Sequence, residues 1–443
     1  MRRLGLGLVL VVATGLLGGC SFLPDWFGSQ PKPPIPGKRV SVLNYTTKLT
    51  ADPKLDDVTV RLPRPYVNAA WPQPGGYPTH ALYHLALRDA IQVVWRVNIG
   101  AGMGSGERLP AAPVVQDGRL FVMDAESHVT ALDAATGRRL WRVNLTPQGQ
   151  AEGALGGGVA TEGGRVYVAT GYGDIFALTA ASGHLVWKKH VEIPLRGGPT
   201  IADGRVYAIT QDNRLLALKA ADGAEVWTYS AITEMAGIIT AASPAVAGDI
   251  VVAPFSSGEL VALRTDTGRV LWDNPLVGAS RLSPLNSIDD IDGRPVIDRD
   301  RVFAVGNSGH MVSIDLLSGQ RVWEREVQGM QQPWAAGDFL YVMTEDNELV
   351  CLARGDGHVR WVHALQRYKK SKDKKGPYVW HGPVLAGNRL ILVSNRGEAV
   401  SISPYSGKLL GEIMVKGGAS VDPIVANETL YILTNDGDVV ALR

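Results

Sequence analysis

Cysteine is nearly absent from this chain: Cys20 and Cys351 are the only two among 443 residues. Cys20 ends an apolar leader, so Cys351, in "NELVCLARGDG", is alone in the body of the chain and no intramolecular disulfide can form there. Stability has to come from packing. An excess of one charge is missing too, with 44 Lys and Arg against 43 Asp and Glu. Setting aside Arg2 and Arg3 of the leader leaves the rest close to neutral, without the basic surplus expected of a nucleic-acid binder. A long apolar run is also lacking, because Leu4 to Leu16 is uncharged but too short to be read as a transmembrane helix.

The leader has its own logic. Two arginines, an apolar segment and small residues form the layout of a secretory signal, and Leu17-Gly18-Gly19-Cys20 resembles a bacterial lipobox. That resemblance implies that residues 1–19 are removed and that Cys20 is acylated, giving the stable membrane hold of several acyl chains. Ser21, where Asp would imply retention in the inner membrane, resembles an outer-membrane address facing the periplasm. Residues 20–60 follow as a tether, with Pro24, Pro31, Pro33, Pro34 and Pro36 favouring an extended, solvated chain.

From about residue 90 the sequence repeats. "AAPVVQDGRLFVMDAESHVTALDAATGRRLW", "RGGPTIADGRVYAITQDNRLLALKAADGAEVW" and "ASPAVAGDIVVAPFSSGELVALRTDTGRVLW" each read as four short strands separated by Gly, Asp or Asn turns. Trp95, Trp141, Trp187, Trp227, Trp272, Trp323 and Trp361 recur 38 to 51 residues apart. The last six each follow a turn glycine by four positions: Gly137, Gly183, Gly223, Gly268, Gly319 and Gly357. The same turn recurs at Gly407, with Gly411 in the tryptophan slot. Four-stranded units at this spacing predict an all-β, eight-bladed propeller over 90–443. "AIQVVWRVNI" supplies an orphan outer strand and the chain end supplies three more, so pairing of the two termini is expected to close the ring and cover two sheet edges. The tryptophans are read as packing residues. Residues 61–89 mix prolines with Tyr66, Trp71, Tyr77 and Tyr83 and are expected to pack on the propeller rim.

"ALDAATGRRLW", with Ala131, Asp133, Gly137 and Trp141, is similar to the tryptophan-docking repeat of the pyrroloquinoline quinone (PQQ) dehydrogenases, whose propellers have eight such blades. Two functions share the repeat. A dehydrogenase would hold PQQ against Ca²⁺ ligated by hard oxygens and use an Asp as base. Here there is no Cys-Cys pair, the long insertions of those enzymes are missing, and Asp289, Asp290 and Asp292 sit in one loop. The lipobox, Ser21, the tether and a single propeller together resemble the BamB family. That resemblance implies a non-enzymatic scaffold in the outer-membrane β-barrel assembly (Bam) complex, with no cofactor and no resident metal. Its expected partners are the POTRA domains of BamA, other Bam subunits, outer-membrane lipid through the acyl chains and unfolded outer-membrane proteins. A PQQ/Ca-dependent quinoprotein dehydrogenase stands as the alternative.

The family contacts BamA through two inter-blade loops, and the resemblance carries them onto this sequence. In "LNSIDDIDGRPVI", Asp290 and Asp292 match the paired acids of one loop and would keep both carboxylates available to a partner's Arg or Lys. The other loop falls by blade register at Ile238 and Ile239, in "EMAGIITAASP", and by literal likeness at Leu195 and Arg196, in "PLRGGPT". Two further features stand out. Lys369, Lys370, Lys372, Lys374 and Lys375 form a basic run in an insertion between the sixth and seventh blades, read as a solvated loop or a site for an acidic partner or anionic headgroups. His80 and His84 have a spacing that could bind a metal on a helix, but no third ligand lies nearby.

Overall fold

A four-stranded antiparallel sheet can hide both faces only by being sandwiched between two others, and the chain solves this eight times. The computed structural model describes residues 49–443 apart from 56, 105–107, 110, 234–241 and 277–289. Eight four-stranded sheets form the blades: 114–144, 157–190, 200–230, 245–275, 296–326, 334–364, 380–414, and lastly 424–442 with 93–98. The core lies in layers between blades. Ala245, Val252, Leu260 and Trp272 of the fourth blade meet Ile297, Val302, Val312 and Ile314 of the fifth, for example. In the eighth blade Val93–Asn98 pairs antiparallel with Asp438–Leu442. Gln92 and Arg443 exchange backbone hydrogen bonds, so the C-terminal residue continues the ladder.

The outer strands show why the tryptophan recurs. Ala131 lies opposite Trp141, and the register then slips so that Leu132 faces Arg139, leaving Leu140 as a bulge. The same slip recurs in the other blades, always with a small residue opposite the tryptophan slot: Ala177, Ala217, Ala262, Ser313, Cys351, Ser401 and Ala441. A bulge re-aims the side chain beyond it, here toward the following blade. Cys351 is therefore the small partner of Trp361, and burial pushes its thiol well above the usual range, where it is inert.

Each tryptophan reaches the next blade. Trp141 Nε1 donates to Ala180 O at 3.0 Å and Trp227 Nε1 to Thr265 O at 2.9 Å, and the series continues from Trp187, Trp272, Trp323 and Trp361 to Trp95, which donates to Ala134 O in the first blade. The indole rests on the turn glycine, held at φ near +70°, where a side chain would collide with the ring. In the first blade this turn is fixed by Asp133, whose Oδ1 accepts the Thr136 hydroxyl at 2.8 Å and the Thr136 N–H at 2.9 Å. Those bonds lower its pKa, the hydroxyl contact most. The tryptophan missing at Gly411 has a reason: the blade it would reach is the eighth, whose corresponding turn is replaced by the two chain ends.

Residues 66–87 lie across one end of the propeller axis instead of along the rim expected from the sequence. They touch the innermost strand of every blade. Asn68 Nδ2 donates to Val425 O and Asn68 O accepts the Asn427 N–H; Trp71 exchanges backbone bonds with Val115; Pro72 O accepts from Thr161; the Gln73 side chain accepts from the Ile201 N–H. Pro78 O and Thr79 O accept from Val246 and Ile297, Tyr83 O accepts from Trp334 Nε1, and the Leu85 N–H donates to Leu385 O. Inner strands have no neighbour on the axis side, so their donors and acceptors need partners there. A chain rich in proline supplies carbonyls without adding donors of its own.

His80 sits inside this plug, with Nδ1 2.7 Å from Pro295 O, and burial takes its pKa down to about 3. Above its ordinary value of 6.5 the ring is neutral in both states; below it the unfolded chain gains a proton that the folded chain refuses until about 3. Stability should therefore fall by about 1.4 kcal/mol per pH unit across that window. His84, His363 and His381, also lowered by burial, add to the slope. In urea titrations between pH 7.5 and 5, His80→Asn should flatten the dependence; an unchanged slope would remove His80 as its main source. A second prediction concerns the tryptophan joint. Gly204 and Gly268 share φ near +70°, but a Cβ at Gly204 meets open space and one at Gly268 comes within 2.6 Å of Trp227. Gly204→Ala should cost about 1 kcal/mol and Gly268→Ala about 3 kcal/mol, and equal urea midpoints would contradict the docking role.

Candidate site at the axial mouth

The loops that enter each blade open at the end of the axis away from the plug. Three sequence-predicted residues meet there. Arg196, on the loop entering the third blade, places Nη2 2.7 Å from Asp290 Oδ1 and 3.6 Å from Asp292 Oδ1, both on the loop entering the fifth. The backbone fixes both loops: Arg196 N–H donates to Ile209 O, Ile291 N–H to Phe255 O, and Asn307 N–H to Asp290 O. All three side chains are essentially out of solvent. The expectation that Asp290 and Asp292 keep both carboxylates open to a partner is therefore corrected. Two buried carboxylates need a cation close by, and Arg196, the residue of the literal likeness, supplies it from within the chain. Cys20, Ile238, Ile239 and Asp289 lie outside the described residues.

Deeper on the axis a small pocket, open to solvent, has Trp71, Pro74 and Gly75 of the plug on one side and Arg294, Trp334 and Asp422 among its walls. Sequence reasoning missed this pocket, and the aromatic content of 61–89 was its only signal. Arg294 Nη1 lies 3.1 Å from Asp422 Oδ2, while Asp422 Oδ1 accepts the Gly382 N–H at 3.1 Å. Charge around the mouth is thus paired twice within the chain. In both pairs an arginine meets the carboxylate charge, and Asp422 still borders the open pocket.

Two further clusters have ligand chemistry. Asp124, Glu126 and His128 bring their ligand atoms within 4.8 Å of one another. Asp124 is already served by the Arg142 guanidinium at 2.8 Å and by the N–H groups of Glu126 and His128, so the charge a cation would neutralise is met. His80 and His84 turn Nδ1 to different carbonyls, Pro295 O and Pro63 O, and share no centre.

Removing one member of the Arg196 cluster should be costly. Arg196→Met takes the guanidinium away from two buried carboxylates and should lower unfolding free energy by about 3 kcal/mol. Adding Asp290→Asn and Asp292→Asn should restore part of that loss in denaturant unfolding. A single variant as stable as the parent would dissolve the cluster as a structural unit.

Comparison with known proteins now bears on this geometry. A family profile described as "Outer membrane protein assembly factor BamB" matches residues 88–152 and 125–363. Curated relatives of that name include the Legionella pneumophila (strain Paris) protein, 27% identical over 195 residues, which are 44% of this chain and 48% of the relative. The Escherichia coli (strain K12) protein is 25% identical over 203 residues, 45% of this chain and 49% of the relative. The chain thus spans about half the length of the curated relatives it matches. Among solved structures, BamB from Moraxella catarrhalis superposes with a TM-score of 0.68 at 19% identity, covering 80% of this chain and 100% of that one. A quinohemoprotein alcohol dehydrogenase from Comamonas testosteroni gives 0.62 at 15% identity, covering 84% and 80%. These two likenesses carry the fold alone. The profile, which takes in more than half of the sequence, carries more: the chain belongs to the outer membrane protein assembly factor BamB family.

Proposed function

We propose that this protein is a non-enzymatic scaffold of the outer-membrane β-barrel assembly machinery, anchored by acylated Cys20 and holding the POTRA domains of BamA while outer-membrane proteins are inserted. The observation that carries the reading is the family match across 88–363, joined to a lipobox-like leader that would place the propeller at the right membrane. No helix among the described residues is long and apolar enough to cross a membrane.

The axial mouth supports a binding role over an oxidative one. In a quinoprotein the carboxylates at this end would gather on a metal and a cofactor, whereas here Asp290, Asp292 and Asp422 are held by Arg196 and Arg294. In this reading the Arg196 cluster acts from behind the contact surface. It locks the loops entering the third and fifth blades against each other, and the partner is met around this lock and at the segment holding Ile238 and Ile239. Rigid loops lower the ordering cost of association.

The test is capture from detergent-solubilised outer membrane of the native host. The barrel subunit should co-purify with the wild-type chain, and its absence would sink the proposal. Cys20→Ser should move the protein from the membrane to the soluble periplasmic fraction. Cofactor absorbance and dye-linked alcohol or sugar oxidation after adding PQQ and Ca²⁺ would instead favour the dehydrogenase.

A further inference from the structure

The seventh blade differs from the others on its outer strand. Elsewhere the tryptophan in the middle of that strand is buried or half-buried, but Leu409–Met414 is exposed at every position. Leu409, Leu410, Ile413 and Met414 are 52%, 57%, 39% and 68% exposed, and across the seam Val93 and Val94 of the eighth blade are 57% and 41% exposed. Leu409 and Leu410 hold positions that are exposed on other outer strands too, as at Leu185 and Val186; what the seventh blade lacks is the indole, since Gly411 has none to send and the eighth blade has no turn to receive one. An apolar strip is left on the outer edge of the ring.

A basic element stands at the end of this strip. Tyr368–Lys370 and Lys375–Pro377 form a two-stranded hairpin around the 3-10 turn Ser371–Asp373, and Lys369, Lys370, Lys372, Lys374 and Lys375 are all exposed. Among the described residues none of the five forms an ion pair, and Asp373 is the only acid in the hairpin. The hairpin is pinned to the seventh blade. Arg396 Nε donates to Pro377 O at 3.2 Å with its guanidinium over the Tyr378 ring, and Val379 N–H donates to Asn395 Oδ1 at 3.1 Å. The Met414 methyl reaches the same corner, 3.5 Å from where a Cβ on Gly397 would stand. Lys408 and Lys416 flank the strand, with Glu412 as its one acid.

We propose that hairpin 368–377 and the outer strand of the seventh blade together dock on the headgroup layer of an anionic lipid bilayer. Protein interfaces favour aromatic residues and arginine at their centres and are poor in lysine; this surface offers lysines and flexible aliphatic side chains, with no pocket that reads shape. Lysine acts as a mobile point charge and is drawn to anionic lipid within a Debye length. Leucine, isoleucine and methionine beside it can enter the interfacial region. There the unpaired backbone of an edge strand keeps its water. The site would hold one wall of the propeller against the bilayer, independently of any anchor at Cys20.

Vesicle flotation of residues 48–443 tests this, because that compact unit contains all eight blades and lacks both the leader and Cys20. It should float with phosphatidylcholine vesicles containing about one quarter phosphatidylglycerol, stay down with pure phosphatidylcholine, and be released by about 0.5 M NaCl. Changing the five hairpin lysines to glutamine should reduce the bound fraction about tenfold, and Leu410→Ser with Met414→Ser should reduce it severalfold. Both variants should keep the parental thermal midpoint, since every altered side chain faces solvent. Equal flotation on neutral and anionic vesicles, or no loss in the lysine variant, overturns the proposal. Absence of vesicle binding together with tight binding to soluble polyglutamate would overturn it in favour of an acidic polypeptide partner.

Discussion

The structure depends on one joint, an indole of one blade seated on the turn of the next. A four-stranded blade cannot stand alone, since both of its faces are apolar. The joint converts that weakness into order by bringing together a bulge that aims the ring, a small residue beneath it, a glycine at positive φ that receives it, and a carbonyl that accepts the indole N–H. Each part is individually modest. Repeated through Trp95, Trp141, Trp187, Trp227, Trp272, Trp323 and Trp361, they set the direction in which blades follow one another. Non-native orders would leave indoles without turns.

A ring built from one directional joint must break it where the chain begins and ends. At that seam the backbone ladder between Val93–Asn98 and Asp438–Leu442 takes over, and the plug adds a second closure by tying all eight inner strands to one segment. The plug is non-local in a different sense from the ring. It meets the blades in the order in which the segment crosses them, beginning with the eighth at Asn68 and then the first at Trp71, so it spans the seam within a few residues. Opening the ring at the seam therefore means stripping Asn68 and Trp71 from opposite sides as well as unzipping the ladder.

The propeller, its blade number and its closure were legible because they rest on repetition. Alternation, turn glycines and spaced tryptophans restate the same physics eight times, and even the exception at Gly411 fell in register. The plug and the axial mouth were not legible, because each is made once, by residues far apart in the chain. Nothing in "PLRGGPT" says that Arg196 will meet Asp290 and Asp292, and an acid pair on a loop reads as open until the cation inside the fold is seen. Trp71 and Tyr83 signalled that residues 61–89 were packed. Aromatic content shows that a segment is buried but not where, and only the unpaired inner strands give the axis as the place.

Near-neutral composition acquires a meaning from this arrangement. Among the described residues of the axial mouth, Arg196 is paired with Asp290 and Asp292 and Arg294 with Asp422, so internal ion pairs tie these loops together. Five exposed lysines that form no ion pair among the described residues stand on the hairpin at 369–375, beside the one outer strand that lacks its tryptophan. A rigid mouth and a charged edge suit different neighbours. Recognition that depends on loop geometry is insensitive to salt, while attraction of exposed lysines to an anionic surface weakens as ionic strength rises. If the two proposed contacts hold, changing salt alone would therefore release the charged edge before the axial mouth.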